Sequence, residues 1–227
     1  MRTTSRKDTP APKPAGPPDF AIEDGLYSRG HRLIAGVDEV GRGCLAGPVV
    51  AGAVILPRNP GFPWLADVRD SKQLTPKRRE RLSTLIRKSA LAFSTGVVAA
   101  EIIDAIGIVP ATLSAMRQAV KQLVPRPDYV ILDYVTVPRL GIPQKGITNG
   151  DESCLSIACA SIVAKVMRDG LMRDLDGQYP GYGFAQHKGY GTAEHLACLR
   201  DLGPCRLHRR SFAPVGGLVA APVCAEG

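Results

Sequence analysis

The chain has 227 residues, with 29 Lys and Arg against 21 Asp and Glu, and a formal net charge of +8. That length suits one domain with a self-sufficient core, and no apolar run reaches the roughly 18–20 residues needed to span a bilayer, which excludes a membrane-spanning helix and reads as a soluble protein. The positive balance favours a polyanionic partner, and six cysteines without a C-x-x-C pair or a secretory signal indicate reduced thiols in the cytoplasm rather than a disulfide framework.

Residues 1–26 carry Pro10, Pro12, Pro14, Pro17 and Pro18 among Ser, Thr and basic side chains, and read as a disordered arm. Leu33 to Asp38 reads as a buried strand. It ends in two adjacent carboxylates, Asp38 and Glu39, and a Gly41-Arg42-Gly43 turn follows. Bare backbone N–H groups beside an acidic pair can hold a phosphate and a metal ion together. Pro48 to Leu56 is a second apolar run, close enough to the first to pair with it antiparallel. The turn is neither G-x-G-x-x-G nor a Walker A loop, and it leads to a strand, so it lacks the helix N-terminus that would hold a pyrophosphate.

Beyond Asp70-Ser71-Lys72, Thr75 is placed to cap a helix with Pro76 at its first position, running to about Ser89. Leu82, Leu85 and Ile86 form its apolar stripe, and Lys77, Arg78, Arg79, Arg81, Arg87 and Lys88 make its other faces basic. A third strand is expected from Leu91 to Ala100, a short helix from Glu101 to Ile106 and a longer one from Ala111 to Leu123. Tyr129 to Asp133 repeats the pattern of an apolar strand ending in an acid. It reads as a parallel neighbour of the first strand, which places Asp133 at the same sheet edge as Asp38.

Residues 142–149 read as a further strand, and Gly150-Asp151-Glu152-Ser153 opens a long helix from Cys154 to about Asp176. Asp151 stands where an N-cap belongs, and by itself it reads as a cap. Tyr182 to Thr192 is rich in glycine and aromatic residues without periodicity, which suits a ligand-contacting loop. A helix capped by Thr192 ends at Gly203, a basic cluster of Arg206, His208, Arg209 and Arg210 follows, and residues 216–227 read as a flexible tail.

Convergence of Asp38, Glu39, Asp133 and Asp151 at one sheet edge would demand compensating cations. Two Mg2+ or Mn2+ ions match oxygen ligands, whereas the four histidines and six cysteines show no zinc spacing. Paired ions of this kind serve in-line phosphodiester hydrolysis, the chemistry of a nuclease.

At these residues the sequence closely resembles the ribonuclease HII family, the bacterial type 2 ribonuclease H. The resemblance runs from about Leu33 to Val215. It includes Gly36-Val-Asp-Glu-Val-Gly-Arg-Gly43, Asp70-Ser-Lys72, Asp133, Gly150-Asp151, Ala160-Ser-Ile-Val-Ala-Lys165-x-x-Arg168-Asp169, Phe184-Ala-Gln-His-Lys-Gly-Tyr190 and His208-Arg-Arg-Ser-Phe212. It implies an α/β ribonuclease H-like fold with a central mixed five-stranded sheet flanked by helices and a C-terminal helical region, residues 27–215 forming the catalytic domain. Asp38, Glu39, Asp133 and Asp151 would then be the catalytic, metal-binding carboxylates. Gly41, Arg42 and Gly43 would read the ribose 2′-OH, and Tyr190 would pack on the adjoining deoxyribose. Lys72, Lys165 and Arg168 would contact phosphates.

The implied substrate is an RNA-DNA hybrid or duplex DNA containing ribonucleotides, cut by a monomer with Mn2+ or Mg2+, including 5′ to a single ribonucleotide. The sequence departs from the family pattern at Cys44, Tyr134 and Asn149. A catalytically silent hybrid-binding module and a phosphotransferase are the competing readings. Retention of all four acids argues against the first, and the strand-turn-strand context of the glycines against the second.

Overall fold

The computed structural model describes residues 16–219. Five strands, β1 (Ile34–Val40), β2 (Val49–Ile55), β3 (Ala92–Val98), β4 (Tyr129–Asp133) and β5 (Gln144–Ile147), form one sheet in the order β3-β2-β1-β4-β5. β1 pairs antiparallel with β2, and β2 with β3, while β4 and β5 add in parallel. β2 is buried along its whole length. The edge strand β3 alternates, leaving Phe93 and Val97 exposed.

The helices are α1 (Ala21–Tyr27), α2 (Pro76–Ser89), α3 (Ala100–Ile106), α4 (Ile108–Lys121), α5 (Gly150–Ser153), α6 (Leu155–Gln178), α7 (Phe184–His187), α8 (Ala193–Leu202) and α9 (Val215–Val219). Thr75 caps α2 by accepting the Arg78 N–H, and Thr192 caps α8 by accepting the His195 N–H. α4 packs on one face of the sheet, where Val37, Val49, Ala51, Ala115 and Met116 share a core, and α6 lies across β1 and β2 on the other. Its closeness depends on glycine: a Cβ at Gly36 would collide with the Ser156 backbone, and one at Gly52 with the Ala160 carbonyl. The small residues of α6 that face these glycines bring the helix backbone against the strands.

The arm expected over residues 1–26 ends earlier than its composition suggests. Residues 1–15 lie outside the described residues, but Asp19 bridges to Cys154, and α1 buries Leu26, Tyr27 and Glu23. Its composition is mixed, yet three side chains pack against the α5–α6 junction and the sheet, which local pattern cannot reveal. Likewise Val215 is buried at the start of α9, so the tail expected from residue 216 begins inside a helix; residues 220–227 are outside the described residues. No helix among the described residues is long and apolar enough to cross a membrane.

Asp151 caps neither neighbouring helix. Asn149 precedes α5 in the left-handed conformation (φ 54°), and neither it nor Cys154, which precedes α6, makes a side-chain cap. The open end of α6 is served from a distance: Glu23 Oε1 accepts the Ser156 N–H at 3.0 Å and also the Ser156 hydroxyl. Asp151 is therefore left available for other work.

Close approach of α6 to the sheet gives a direct expectation. Gly52→Ala should destabilise the chain by about 1–3 kcal/mol, because the added methyl meets backbone that cannot rotate away. Urea denaturation of the two chains measures this, and an unchanged midpoint would show that α6 is not held against β2 as described.

Candidate active site

The parallel register of β1 and β4 pairs Val37 with Leu132, so one residue further on Asp38 and Asp133 stand level at the same sheet edge. Gly36 faces α6, and the strand period of two turns Asp38 to that same side. There Asp38 meets the Ser161 hydroxyl, which is itself 2.9 Å from the Ser71 hydroxyl in the Asp70–Lys72 loop. The Asp133 Oδ1 atom accepts the Gly150 N–H at 2.7 Å, and this bond brings the start of α5, with Asp151, against the end of β4.

All four expected carboxylates thus share one environment, and each is pushed toward the protonated form. Asp38 is 5 % exposed, and burial followed by the neighbouring Glu39 charge raises its pKa well above the usual range. Burial also raises Glu39, against the opposing pull of Arg42, whose Nη1 lies 3.4 Å from Glu39 Oε1. Asp133 and Asp151 are raised by burial and by neighbouring acids, with the Gly150 N–H opposing at Asp133 and Lys72 opposing at Asp151.

Lys72 is a second cation beside this group, on the Asp151 side. Its Nζ is 3.5 Å from Asp151 and 3.9 Å from Asp70, on a side chain that is 78 % exposed. Burial works against its charge, but Asp70, Asp151 and Asp38 outweigh it and raise its pKa. The four acids do not close on one point: among the described residues no three His, Cys, Asp or Glu side chains are gathered tightly enough to hold a single ion. What fits divalent cations is the donor set and the charge, four carboxylates with all-oxygen ligands and an exposed lysine as the neighbouring positive group.

Of the expected phosphate contacts, Arg168 is corrected, and Lys165 is engaged with a neighbouring acid. Arg168 is fully buried, and it donates to the carbonyls of Pro48 at 2.9 Å, Ala46 at 3.0 Å and Lys188 at 2.8 Å, so its guanidinium is turned inward. Lys165 pairs with Asp169 at 2.8 Å, its side chain only 12 % exposed, and its ammonium lies 5.4 Å from the Tyr190 ring centre. Both residues build the site from beneath. Of the basic residues on α2, Arg79 is also internal, donating to Ser71 and Leu74 carbonyls at 2.7 Å and so holding the Asp70–Lys72 loop.

The glycine turn is held by a residue whose role sequence reading missed. Arg209, fully buried, donates to the carbonyls of Gly41 and Arg42 at 2.7 Å and Gly47 at 2.9 Å. Its neighbours Arg206 and Arg210 share its composition, so only the environment separates it from them. Gly41 has φ 91° with the Arg168 side chain against it, where a Cβ would clash, and Gly43 has open space in the same direction. Arg42 and Gly43 are exposed, the buried Cys44 lies close to Tyr190, and the Tyr190 ring remains 39 % exposed. Tyr134 points outward at 73 % exposure.

A family model described as Ribonuclease HII matches residues 35–215. The Ribonuclease HII of Dehalococcoides mccartyi (strain ATCC BAA-2266 / KCTC 15142 / 195) is 54% identical over 198 residues, covering 87% of this chain and 94% of its own. Among solved structures, the RNase HII of the PCNA:RNase HII complex from Archaeoglobus fulgidus superposes with a TM-score of 0.68 at 26% identity, over 79% of this chain and 95% of that one. Ribonuclease H2 from Pyrococcus horikoshii OT3 gives a TM-score of 0.69 at 24% identity, over 82% and 96%, a likeness of fold.

The raised pKa of Asp38 has a consequence for stability. Its carboxyl, ionised in the unfolded chain at neutral pH, resists ionisation in the folded one, so its charge opposes folding there. Asp38→Asn should therefore melt higher than the parent chain in chelator, by about 2–4 °C per kcal/mol relieved. Added Mn2+ should raise the melting temperature of the parent and leave that of the variant unmoved. A less stable variant, or a parent indifferent to Mn2+, would contradict the assignment.

Proposed function

The chain belongs to the ribonuclease HII family, and from that premise we propose that it is an endonuclease that hydrolyses the RNA strand of RNA-DNA hybrids and cuts 5′ to ribonucleotides embedded in duplex DNA, leaving 3′-hydroxyl and 5′-phosphate ends. The observation that carries this reading is the juxtaposition of four destabilised carboxylates with an exposed glycine turn. Asp38, Glu39, Asp133 and Asp151 would hold two divalent cations, Mg2+ or Mn2+. When bound, such cations supply Lewis acidity to the attacking water and to the leaving oxygen of the phosphodiester.

The protein's own groups position the substrate. With no side chain at Gly43 and open space beside it, the backbone of the turn can approach a ribose edge, and a backbone group there is suited to hydrogen-bond a 2′-hydroxyl. Arg42 is held near Glu39 and remains 43 % exposed, so the turn also presents a cation to the adjoining backbone. The half-exposed Tyr190 ring, backed by Lys165 and Arg168, offers a flat face to the next sugar, where a deoxyribose packs without a hydroxyl to bury. Lys72 is an exposed cation at the Asp151 side of the acidic cluster and is assigned to a substrate phosphate.

Incubation of a labelled RNA-DNA hybrid with Mn2+ should give internal cuts in the RNA strand that chelator abolishes. Asp38→Asn or Asp133→Asn should lower the rate by about 10²–10⁴-fold, several kcal/mol of transition-state stabilisation, while hybrid binding persists. Binding without cleavage by the parent chain would instead establish the silent hybrid-binding module.

A further inference from the structure

The loop that carries Tyr190 rests on a histidine cluster that the cleavage reading does not use. His187, His195 and His208 gather around Phe184; His187 and His195 stack with ring centres 4.1 Å apart, and His195 and His208 lie 5.2 Å apart. His195 is fully buried and His208 is 2 % exposed. Aromatic packing would be met by phenylalanine, so the ring nitrogens require a separate explanation.

Each nitrogen has a partner, and the partners fix the protons by elimination. His195 Nδ1 is 2.8 Å from the Tyr190 carbonyl oxygen, which can only accept, so His195 carries its proton on Nδ1. In a neutral ring Nε2 is then an acceptor. It lies 3.0 Å from His208 Nε2, which must therefore be the donor. His208 Nδ1 is left to accept, and the Cys205 backbone N–H is 3.0 Å from it. His187 follows the same logic, donating from Nε2 to the Tyr182 carbonyl at 2.6 Å and accepting the Gly189 N–H at Nδ1, 3.1 Å away. Burial holds the pair neutral at pH 7, pushing His195 down and His208 down to about 4. The hydrogen bonds thus run in one direction, from Cys205 through His208 and His195 to Tyr190.

We propose that His195 and His208 are positioning residues for substrate discrimination, a pair of fixed tautomers that locks the Tyr190 carbonyl and so sets the ring beside the glycine turn. This rests on the reading of Tyr190 as the sugar-packing residue. The loop is bound to the turn's far side at the same place, since the Leu45 and Ala46 N–H groups donate to the Gly189 carbonyl at 2.8 and 3.3 Å. A displaced Tyr190 carbonyl would shift a ring that touches substrate, while the carboxylates would stay in place. The pair should therefore govern binding of the duplex more than the rate of cutting.

The tautomers can be read in the unmodified protein by long-range proton–nitrogen-15 NMR at pH 7. His195 protonated on Nδ1 and His208 on Nε2 are expected; the opposite tautomers, or a doubly protonated ring, would overturn the proposal without any question of folding. On a duplex carrying one ribonucleotide, His208→Leu should lower kcat/KM about tenfold, the equivalent of one neutral hydrogen bond, mainly through KM. His208→Gln, which keeps a donor near the position of Nε2, should recover most of the loss. Tyr190→Ala should itself weaken kcat/KM, and adding His208→Leu to it should cost nothing more. An additive loss would make the pair purely structural and refute the proposal, whereas a harmless Tyr190→Ala would refute the reading of Tyr190 on which it stands.

Discussion

Two buried guanidinium groups hold the loop on which everything else depends. Arg209, arriving from the C-terminal segment, and Arg168, from the middle of α6, direct their donors to backbone carbonyls between Gly41 and Pro48 and to that of Lys188. Removing a charge from water costs several kcal/mol, and it is tolerated here because every carbonyl it meets is one the turn must place somewhere. The β1–β2 connection is thereby fixed between the sheet, the long helix and the C-terminal region. All three hold the turn together, so a glycine-rich segment is fixed in place beside the carboxylates by buried hydrogen bonds.

That rigidity works against a second constraint. The ends of β1 and β4 and the start of α5 bring like charges into a partly buried site, and the carboxylates respond with raised pKa values. Lys72 moderates the repulsion from outside, and Arg42 does so at Glu39. The site is thus a place where stability is given up locally and recovered in the packing of α6 and α4 on the sheet. Proteins retain such an arrangement when cations and a polyanionic backbone are to be gathered there.

Much of this was legible in the chain. The acids at two strand ends, the antiparallel first pair and the parallel return to Asp133 follow from apolar runs, link lengths and periodicity, and the sheet order agrees with them. Thr75 and Thr192 declare themselves as caps because capping is local. What could not be read is the direction of long basic side chains. Arg168, Arg209 and Arg79 look like surface cations in a sequence, and only the tertiary fold supplies the buried carbonyls that draw them inward. Asp151 was ambiguous for a related reason: the end of α6 is served by Glu23, more than a hundred residues earlier, from a segment whose composition reads as disorder. The histidine pair was equally silent, since His195 and His208 become partners only when α8 folds back on the C-terminal segment.

The central claim is that carboxylates and turn act at one place, so that the chain cuts where it senses a ribose hydroxyl. The most direct measurement compares two duplexes of identical sequence that differ by a single 2′-hydroxyl, each incubated with the chain and Mn2+. Cleavage confined to the duplex with the hydroxyl, at the bond on its 5′ side, is expected. Equal cutting of both duplexes would contradict the claim.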